Sequence, residues 1–418
     1  MTSMRGRVVV GGVAALLALV SLMGCVPEGG SRGTPSPSRS TVPSASPSPS
    51  DSPLSSASPS PSLPSGPRFE PTGAMAEARA NHEAILLEDG RVLIAGGLDD
   101  GGPLDGAELY DPSSGDFEEA GHMTSPRLEG SATLLSDGTV LLAGGADGAN
   151  QGIITSSTAT ADLFDPATGK FSEAGRMGSS RFGHAAVRLG NGKVLIAGGL
   201  KQSSTATISL STAELFDPAT GKFSPTGSMS SPRADFTATL LSDGRVLVTG
   251  GFNATKTSFS TLDSAEIYDP ATGAFTQAGS LNAPRSGHTA TLLNDGRVLI
   301  ANGQGDAGHL YSCELFDPKT GSFELTGESP SDPVGHAAIL LPDGRVLLAG
   351  GFTSGVGDVV VQLRSTALYE AGEFVQGPLM LAPRANFTAT LLQDGRVLVA
   401  GGWSEGGEYI ASAELLLP

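Results

Sequence analysis

Residues 284–300 have the sequence PRSGHTATLLNDGRVLI, and this segment decides the fold. Related segments recur along the chain at intervals of about fifty residues, a period typical of repeat proteins. Each copy places an Asx-Gly pair between two apolar runs, at Asp89-Gly90, Asp137-Gly138, Asn191-Gly192, Asp243-Gly244, Asp295-Gly296, Asp343-Gly344 and Asp394-Gly395. Such a pair predicts a hairpin with a type I′ turn, in which both central residues have positive φ. The sequence therefore predicts seven tight β-hairpins.

The rest of each repeat supplies two more strands. The second hairpin strand ends in a glycine doublet, at Gly96-Gly97, Gly144-Gly145, Gly198-Gly199, Gly250-Gly251, the variant Asn302-Gly303, Gly350-Gly351 and Gly401-Gly402. After a variable stretch comes a third strand, such as residues 107–110, usually closed by an Asp-Pro-x-x-Gly turn, and then a fourth strand that begins with Phe. Pro presets φ for such a turn and Gly accepts its left-handed exit. Four short strands per repeat indicate propeller blades stacked around an axis.

The two ends of the repeat array complement each other. The last copy stops after its third strand, at residues 413–417, whereas an unpaired fourth strand, residues 69–73, precedes the first copy. We expect this N-terminal strand to complete the last blade. Closing the ring in this way removes exposed strand edges, which otherwise promote aggregation. The predicted fold class is therefore all-β, a seven-bladed propeller closed by an N-terminal strand.

The repeated motifs resemble those of a known family. Pro-Arg-x-x-His, Asp-Gly-Arg-Val-Leu, the glycine doublet and Glu-Leu-Tyr/Phe-Asp-Pro are similar to kelch repeats, especially the bacterial set related to the propeller domain of galactose oxidase. The resemblance covers essentially the whole chain after Arg68. It implies a kelch-type propeller, but kelch propellers include binding modules, oxidases, epimerases and scaffolds, so the fold does not choose between these functions.

The resemblance to galactose oxidase implies a copper site of two Tyr and two His, with one Tyr crosslinked to a Cys. Three of the five tyrosines, Tyr110, Tyr268 and Tyr369, occupy a third-strand position that Phe fills in other repeats. Only Tyr311 and Tyr409 lie elsewhere. Cys313 takes the place of a small core residue. We therefore expect no copper site, no other metal and no cofactor.

The N-terminus indicates an address outside the cytoplasm. Residues 1–7 are basic, residues 8–23 are apolar, and Leu-Met-Gly-Cys at 22–25 resembles a bacterial lipoprotein signal box. This pattern predicts a signal peptide over 1–24 and lipidation of Cys25; an ordinary secretory signal with a chance Cys is the alternative. Residues 25–67 are rich in Ser and Pro and predict a disordered tether before the propeller at 68–418. The expected location is the cell membrane, with a lipid-anchored chain facing outward.

The net charge excludes one class of partner. The chain carries a formal charge of −18, and binding to nucleic acid requires clustered Lys and Arg. Cys25 and Cys313 are the only cysteines, so no disulfide is expected within the lipidated chain. We expect a monomeric head that does not bind nucleic acid.

Six repeats place an Arg before the first strand and an acid on the third. The arginines are Arg79, Arg127, Arg181, Arg233, Arg285 and Arg384, and the acids are Glu108, Asp162, Glu214, Glu266, Glu314 and Glu414. One interpretation is a ring of arginines around the central opening that holds an anionic ligand. The other is a structural ion pair within each blade, bidentate and passing over the glycine doublet. The sixth repeat has Pro333 and Ala367 at these positions and so lacks both partners, which favours structural pairs.

Two sets of residues are candidates for ligand binding. Asn81, Glu129, Asp235 and Asn386 lie two residues after the arginines, near the predicted central opening. Glu129 and Asp235 suit an acid and a base if the protein is an enzyme, although isolated acids also occur on any acidic surface. Trp403 and Tyr409 follow the last doublet and suit stacking on a sugar or peptide, unless Trp403 packs against its own blade.

A third position, three residues after the arginine, carries His in four repeats. In repeat order its residues are His82, Gly130, His184, Phe236, His288, His336 and Phe387. Replacement of His by Phe fits packing better than metal binding. The sequence as a whole favours a surface-anchored module that binds an extracellular glycan or protein over an enzyme. The alternatives are a carbohydrate-active enzyme, epimerase-like or oxidase-like, and an envelope scaffold.

Overall fold

Seven four-stranded antiparallel sheets form the ring of blades, as the repeats predict. The computed structural model describes residues 66–150, 153–203, 206–330, 334–354 and 360–418. The predicted signal peptide, Cys25 and nearly all of the tether lie outside these residues. No helix within the described ranges is long and apolar enough to cross a membrane.

The strands of each blade are named A to D from the axis outward. Strands A of neighbouring blades contact one another around the ring and therefore surround the axis. In the order A to D, the strands of blade 1 are Glu83–Leu86, Val92–Ala95, Gly106–Asp111 and Asp116–His122, and those of blade 2 are Ser131–Leu134, Val140–Ala143, Thr160–Asp165 and Lys170–Arg176. The strands of blade 3 are Ala185–Arg188, Val194–Ala197, Ala213–Asp217 and Lys222–Pro225, and those of blade 4 are Thr237–Leu240, Val246–Thr249, Ser264–Asp269 and Ala274–Ser280. The strands of blade 5 are Thr289–Leu292, Val298–Ala301, Ser312–Asp317 and Ser322–Glu328, and those of blade 6 are Ala337–Leu340, Val346–Ala349, Thr366–Glu370 and Glu373–Gln376. The strands of blade 7 are Thr388–Leu391, Val397–Ala400, Ser412–Leu417 and Arg68–Ala74.

The N-terminal strand closes the ring, which confirms the prediction from the chain ends. Arg68–Ala74 pairs antiparallel with Ser412–Leu417, and Phe69 lies opposite Leu416. Phe69 is buried in the core between blades 6 and 7. Blade 7 therefore has four strands like the others, with its outermost strand taken from the opposite end of the described chain.

The seven A–B hairpins form, but the predicted type I′ turn is wrong. In blade 1 the Gly90 N–H donates to Leu87 O, and the Leu87 N–H donates to Arg91 O. Gly90 has a φ of 90°, whereas Asp89 is not among the residues with positive φ. This geometry is a type I turn followed by a left-handed Gly in a bulge, a three-residue loop that also suits Asx-Gly. The Asp89 carboxylate accepts hydrogen bonds from the backbone and guanidinium of Arg91.

The core lies between the blades. Strand B is buried on both faces, as in Val92–Ala95, so its sequence is continuously apolar rather than alternating. One core cluster joins Leu93 of blade 1 to Val140 and Phe164 of blade 2, and comparable clusters follow around the ring. Each blade thus buries its faces only against its neighbours, which is why closure of the ring matters for stability.

The face that carries the glycine doublets, here called the doublet face, has extra hairpins. Six two-stranded sheets follow the doublets, at Leu98–Asp99 with Gly102–Pro103, Gly148–Asn150 with Ile153–Ser156, Leu200–Gln202 with Thr207–Ser209, Phe252–Ala254 with Phe259–Thr261, Gln304–Gly305 with Gly308–His309, and Phe352–Ser354 with Val360–Gln362. Blade 7 has a 3₁₀ turn, Glu405–Gly407, at this point. Hydrogen bonds join neighbouring hairpins, as between Thr261 and Asp306. The result is a collar around the axial opening.

Candidate functional site

The six arginines lie inside the blades and contact the six acids on strand C. The Arg–carboxylate distances are 3.1 Å for Arg79–Glu108, 2.6 Å for Arg127–Asp162, 3.0 Å for Arg181–Glu214, 2.9 Å for Arg233–Glu266, 2.7 Å for Arg285–Glu314 and 2.6 Å for Arg384–Glu414. Five of the arginines have 0% exposure. A buried guanidinium cannot reach a ligand at the axis, so these residues do not form the anion-binding ring that was one interpretation of the sequence. Pro333 lies outside the described residues, and Ala367 is buried.

The contacts in blade 4 show how each arginine is held. Arg233 Nη1 donates to the carbonyls of Gly250 and Ser264, and Nη2 donates to Glu266. The other Glu266 oxygen accepts the N–H of Ser230, which lies in the linker between blades. The expected bidentate pairing is therefore wrong here, because the carboxylate divides its oxygens between the guanidinium and the linker. Burial lowers the pKa of Arg233, and Glu266 opposes that shift.

Packing between blades explains the glycine doublets. Gly96 has a φ of 66°, and a Cβ built on it would lie 2.4 Å from Arg127 O of the next blade. The Gly97 N–H donates to the same carbonyl. The doublet thus lets strand B turn sharply against its neighbour and presents Gly96 O to Arg79. In blade 2 the second glycine also leaves room for the arginine, because a Cβ built on Gly145 would lie 3.1 Å from Arg127 Cβ.

Two residues after each arginine position lies a set of seven residues around the axis, here called the axial ring. Its members are Asn81, Glu129, Gly183, Asp235, Gly287, Gly335 and Asn386. All seven are partly exposed, whereas the residues immediately before them are buried. Every member has a left-handed backbone, with φ between 51° and 66°. The structure therefore brings together the four ring candidates that the sequence predicted.

Backbone hydrogen bonds connect the axial ring. The N–H of a ring residue donates to the carbonyl of the ring residue in the preceding blade, as for Asn81–Asn386, Asn386–Gly335, Gly287–Asp235, Asp235–Gly183 and Gly183–Glu129, over 2.9 to 3.2 Å. The ring is thus a constriction built from backbone, and its chemical character depends on the side chains it carries. In blade order these are amide, carboxyl, none, carboxyl, none, none and amide.

The left-handed backbone makes side chains costly at this position. Glycine adopts positive φ freely, Asn and Asp tolerate it, and other residues are strained by about 1 kcal/mol or more. Glu129 has a φ of 53° and belongs to the strained class. Burial also raises the pKa of Asp235 to about 6. The ring therefore carries Glu129 despite backbone strain and Asp235 despite the burial of its carboxyl.

Histidines outside the ring join neighbouring blades. His82 Nε2 lies 2.9 Å from the Thr388 hydroxyl, and the pairs His184–Ser131, His288–Thr237 and His336–Thr289 are each separated by 3.0 Å. Where Phe replaces His, the partner is Ala: Phe236 packs on Ala185, and Phe387 on Ala337. Burial lowers the pKa of His82, His184 and His288 to about 3, so these three rings are neutral. Their role is packing, as the sequence suggested.

The joint between blades 1 and 2 departs from both patterns. Its two positions hold Gly130 and Glu83, so this joint has neither a His–hydroxyl contact nor a Phe–Ala contact. A cavity of about 270 Å³ at the axis extends over blades 7, 1, 2 and 3 and includes this joint; it is lined by Asn81, His82, Glu83, Glu129, Gly130, Gly183, Asn386 and Phe387. Burial raises the pKa of Glu83 to about 7, and the backbone of Ala132 partly opposes this. Sequence reasoning missed Glu83, although the break at Gly130 marked its joint.

The structure does not present Trp403 as a stacking platform. The side chain is 5% exposed and packs in a cluster with Ala80, Phe352 and Ala385. Its ring centroid lies 5.6 Å from that of Phe352. Tyr409 is half-buried against the same cluster, and burial raises its pKa to about 12. Trp403 therefore packs against the propeller, which the sequence left open as the alternative to ligand binding.

The tyrosines on strand C have structural contacts. The hydroxyls of Tyr110, Tyr268 and Tyr369 form hydrogen bonds of 2.9, 2.8 and 2.6 Å with threonines in the preceding blade. Cys313 is fully buried, and burial raises the pKa of its thiol to about 11. Within the described part of the chain, no group of three or more His, Cys, Asp or Glu side chains is placed to hold a metal ion.

Comparison with solved structures agrees with the fold. A fungal alcohol oxidase of the AA5 family, solved in complex with copper, superposes with a TM-score of 0.66 at 16% identity, covering 84% of this chain and 76% of the oxidase. The protein YjhT superposes with a TM-score of 0.54 at 17% identity, covering 70% of this chain and 95% of YjhT. At these identities the similarity concerns the fold. The predicted propeller, similar to the galactose oxidase group, is confirmed.

Sequence comparison finds similarity over a smaller part of the chain. No protein-family model matches the chain. The spermatocyte protein spe-26 of Caenorhabditis elegans is 32% identical over 115 residues, which are 27% of this chain and 19% of that protein. The match therefore covers about two repeats of this propeller and less than a fifth of the relative.

Proposed function

We propose that the protein is a surface-anchored binding module whose ligand, an extracellular glycan or protein, is held at the axial ring on the doublet face. One observation carries the proposal. Seven equivalent positions have a left-handed backbone that Gly adopts without strain, yet four of them carry polar side chains. Since Gly183, Gly287 and Gly335 serve the fold at the same position, the fold does not require these side chains. Recognition of a ligand gives a reason to keep them.

The surroundings of the ring support binding at this place. The arginines nearby are buried in ion pairs, and the histidines beside the ring are engaged between blades. The exposed chemistry at the axis is therefore that of Asn81, Glu129, Asp235 and Asn386. Loops on a rigid ring are a common site of recognition, and the collar of hairpins surrounds this opening.

A glycan array and a protein pull-down with residues 66–418 test this proposal. The variant E129Q/D235N removes both ring charges with little change in shape, and we expect it to lose at least tenfold in affinity. The matched control E173Q/E324Q removes two exposed acids from outer strands and should bind as the unmodified head does. Equal binding by the ring variant and the control would refute a ligand site at the ring.

A carbohydrate-active enzyme is the second candidate. The observation in its favour is Asp235, because a carboxyl whose pKa is raised to about 6 by burial suits a general acid near neutral pH. A turnover assay on any glycan that binds distinguishes the two functions. Binding without product supports the module, whereas product formation that is lost in D235N or E129Q would establish the enzyme.

Anchoring through Cys25 is a separate part of the proposal. The mature chain would begin at Cys25 with a lipid on its thiol, and a tether ending near residue 67 would hold the propeller away from the membrane. Mass spectrometry of the mature N-terminus, together with fractionation of C25A, tests it. We expect C25A to leave the membrane fraction, and an unlipidated chain starting elsewhere would contradict the anchor.

A further inference from the structure

The joint between blades 5 and 6 departs from the packing that the other six joints share. At each of those joints the first glycine of a doublet lies against an apolar side chain of the linker into the next blade, and a Cβ built on Gly250, for example, would lie 3.4 Å from Leu281 Cδ1. The linker residues are Met75, Met123, Met177, Met229, Leu281 and Met380, and each belongs to the core of its joint. At the joint of blades 5 and 6 the doublet residue is Asn302 and the linker residue is Ser329, and both are buried. Two polar residues therefore replace the glycine and the apolar side chain.

The linker into blade 6 also lacks a hydrogen bond that the other linkers make. In the other six blades the acid on strand C accepts the N–H of the preceding linker, as Glu314 accepts that of Asn282 over 2.8 Å. Blade 6 has Ala367 at the position of the acid, and its linker has Pro330 at the position of the donor. Since Pro has no N–H and Ala has no side-chain acceptor, this tie between linker and blade cannot form.

Cys313 lies inside the same joint. It is fully buried on strand C of blade 5 and packs in one core cluster with Val346 and Tyr369 of blade 6. Its thiol is 3.8 Å from Asn302 Oδ1 and interacts with the backbone N–H of Ser329. Asn302 Nδ2 is buried without a hydrogen-bond partner among the described residues. An unpaired buried amide destabilises the closed joint, because the same group would be hydrated if the joint opened.

We propose that the ring opens at the joint of blades 5 and 6, in a local motion that keeps the seven sheets intact and exposes the Cys313 thiol. This motion is independent of any ligand at the axial ring. The loss of the apolar linker contact, the loss of the tie to strand C and the unpaired amide all weaken the same joint. Each blade packs only on its neighbours, so one joint can open while the others stay closed.

Two contacts keep the joint closed in the structure. His336 Nε2 lies 3.0 Å from the Thr289 hydroxyl, and the Tyr369 hydroxyl lies 2.6 Å from that of Thr326. Both contacts have counterparts at other joints, such as His184–Ser131. They therefore give this joint no compensation for the contacts that it lacks.

A single thiol makes the opening measurable. Residues 66–418 contain every strand of the ring, and Cys313 is their sole cysteine. In the closed ring burial raises the pKa of this thiol to about 11, whereas an exposed thiol has a pKa of about 8.5 and reacts as the thiolate. The reagent is dithiobis-nitrobenzoate, a small aromatic disulfide. The thiolate attacks one of its sulfurs, forms a mixed disulfide on Cys313 and releases one thionitrobenzoate anion, whose absorbance gives the rate.

The rate of labelling at pH 8 is measured at rising urea concentrations below the unfolding transition. We expect Cys313 to react at least tenfold faster than global unfolding allows, with a weak dependence on urea, because a local opening exposes little surface. The matched controls C313A/A265C and C313A/A161C carry the thiol at the equivalent position of other joints, where Ala265 and Ala161 are fully buried. Their thiols should react at least tenfold more slowly than Cys313 and follow the steep urea dependence of global unfolding.

A repacked joint tests the cause of the opening. N302G/S329M gives this joint the glycine and methionine of its neighbours, and we expect it to slow the labelling of Cys313 at least tenfold. Its melting temperature should equal or exceed that of the unmodified head. If the variant does not fold, the urea dependence of Cys313 in the unmodified head still decides whether the joint opens locally.

Four results would overturn the proposal. Labelling of Cys313 with the steep urea dependence of global unfolding would show that the joint does not open by itself. Equal rates for Cys313 and the control thiols would show that opening is not confined to this joint. Complete labelling on mixing would show that the thiol is accessible in the closed ring. An unchanged rate in a well-folded N302G/S329M would show that the polar packing does not weaken the joint.

Discussion

The arginine position and the axial-ring position lie two residues apart in every blade, yet they follow opposite rules. Arg233 has 0% exposure and is held by Gly250, Ser264 and Glu266. Asp235 is partly exposed, has a φ of 51° and lies where other blades have Gly, Asn or Glu. The repeated residue holds the blade together, and the variable residue lines the axis. In this propeller, the position that keeps the same residue in six blades stabilises the structure, and the position that varies between blades forms the candidate site.

Removal of the closing strand should have the largest effect, because it breaks the structural side of the comparison. A head that begins at Ala76 loses strand D of blade 7 and the buried side chains of Phe69 and Met75. These two side chains alone account for about 4 kcal/mol of burial. We expect a lower and broader thermal unfolding transition. A head that begins at Gly66 is the control, and an identical melt for both would contradict closure by this strand.

Substitution of one acid that pairs with a buried arginine should have the next largest effect on stability. E266Q leaves the buried Arg233 without its counterion and should lower the free energy of unfolding by about 3 kcal/mol. The exposed residue Glu173 provides the control, E173Q, with an expected change below about 0.5 kcal/mol. Denaturant unfolding compares the two variants. If E266Q unfolds like E173Q but loses ligand binding, the arginines serve a ligand rather than the blade.

Substitution of His184 and Ser131, which form one His–hydroxyl joint, should have a smaller effect on stability, and the effects of the two substitutions should be coupled. H184F alone leaves the Ser131 hydroxyl buried opposite an apolar ring and should lower the free energy of unfolding by about 1 kcal/mol. The double variant H184F/S131A reproduces the Phe–Ala joints, so its loss of stability should be smaller than the sum of the losses in H184F and S131A. A double-mutant cycle measures this coupling. Additive costs would show that the pairing rule among the blades has no energetic basis.

The same joint predicts a dependence on pH. The pKa of His184 is about 3 in the fold and near 6.5 when unfolded, so below pH 6.5 the unfolded chain binds a proton that the folded chain does not. Stability is therefore lost as pH falls from about 6.5 toward 3. H184F/S131A should lose less stability over this range than the unmodified head does.

Much of this architecture follows from the sequence alone. The apolar runs around Asx-Gly predict the hairpins. The sixth repeat has Pro333 at the Arg position and Ala367 at the acid position, and this joint absence indicates that the Arg and the acid of each blade form a pair. The turn type was not predictable from Asx-Gly, because the same pair suits both a type I′ turn and a type I turn with a left-handed Gly. Only the φ values distinguish the two.

The candidate site was only partly predictable. Three glycines among seven equivalent positions signal a left-handed backbone, but they do not reveal that the position lines the axis. Trp403 was misleading, because an aromatic residue after the doublet suits both a stacking surface and the core that it enters. Glu83 was missed because its burial depends on contacts with the neighbouring blade, such as that with the backbone of Ala132. Contacts between blades are not visible in one repeat.

An all-glycine axial ring tests most directly whether the variable position serves binding rather than folding. The variant N81G/E129G/D235G/N386G gives every blade the residue that blades 3, 5 and 6 already have. Relief of the left-handed strain should offset the added chain entropy of glycine to within about 1 kcal/mol. We expect a thermal melt close to that of the unmodified head together with loss of ligand binding. A large fall in melting temperature with binding retained would contradict it.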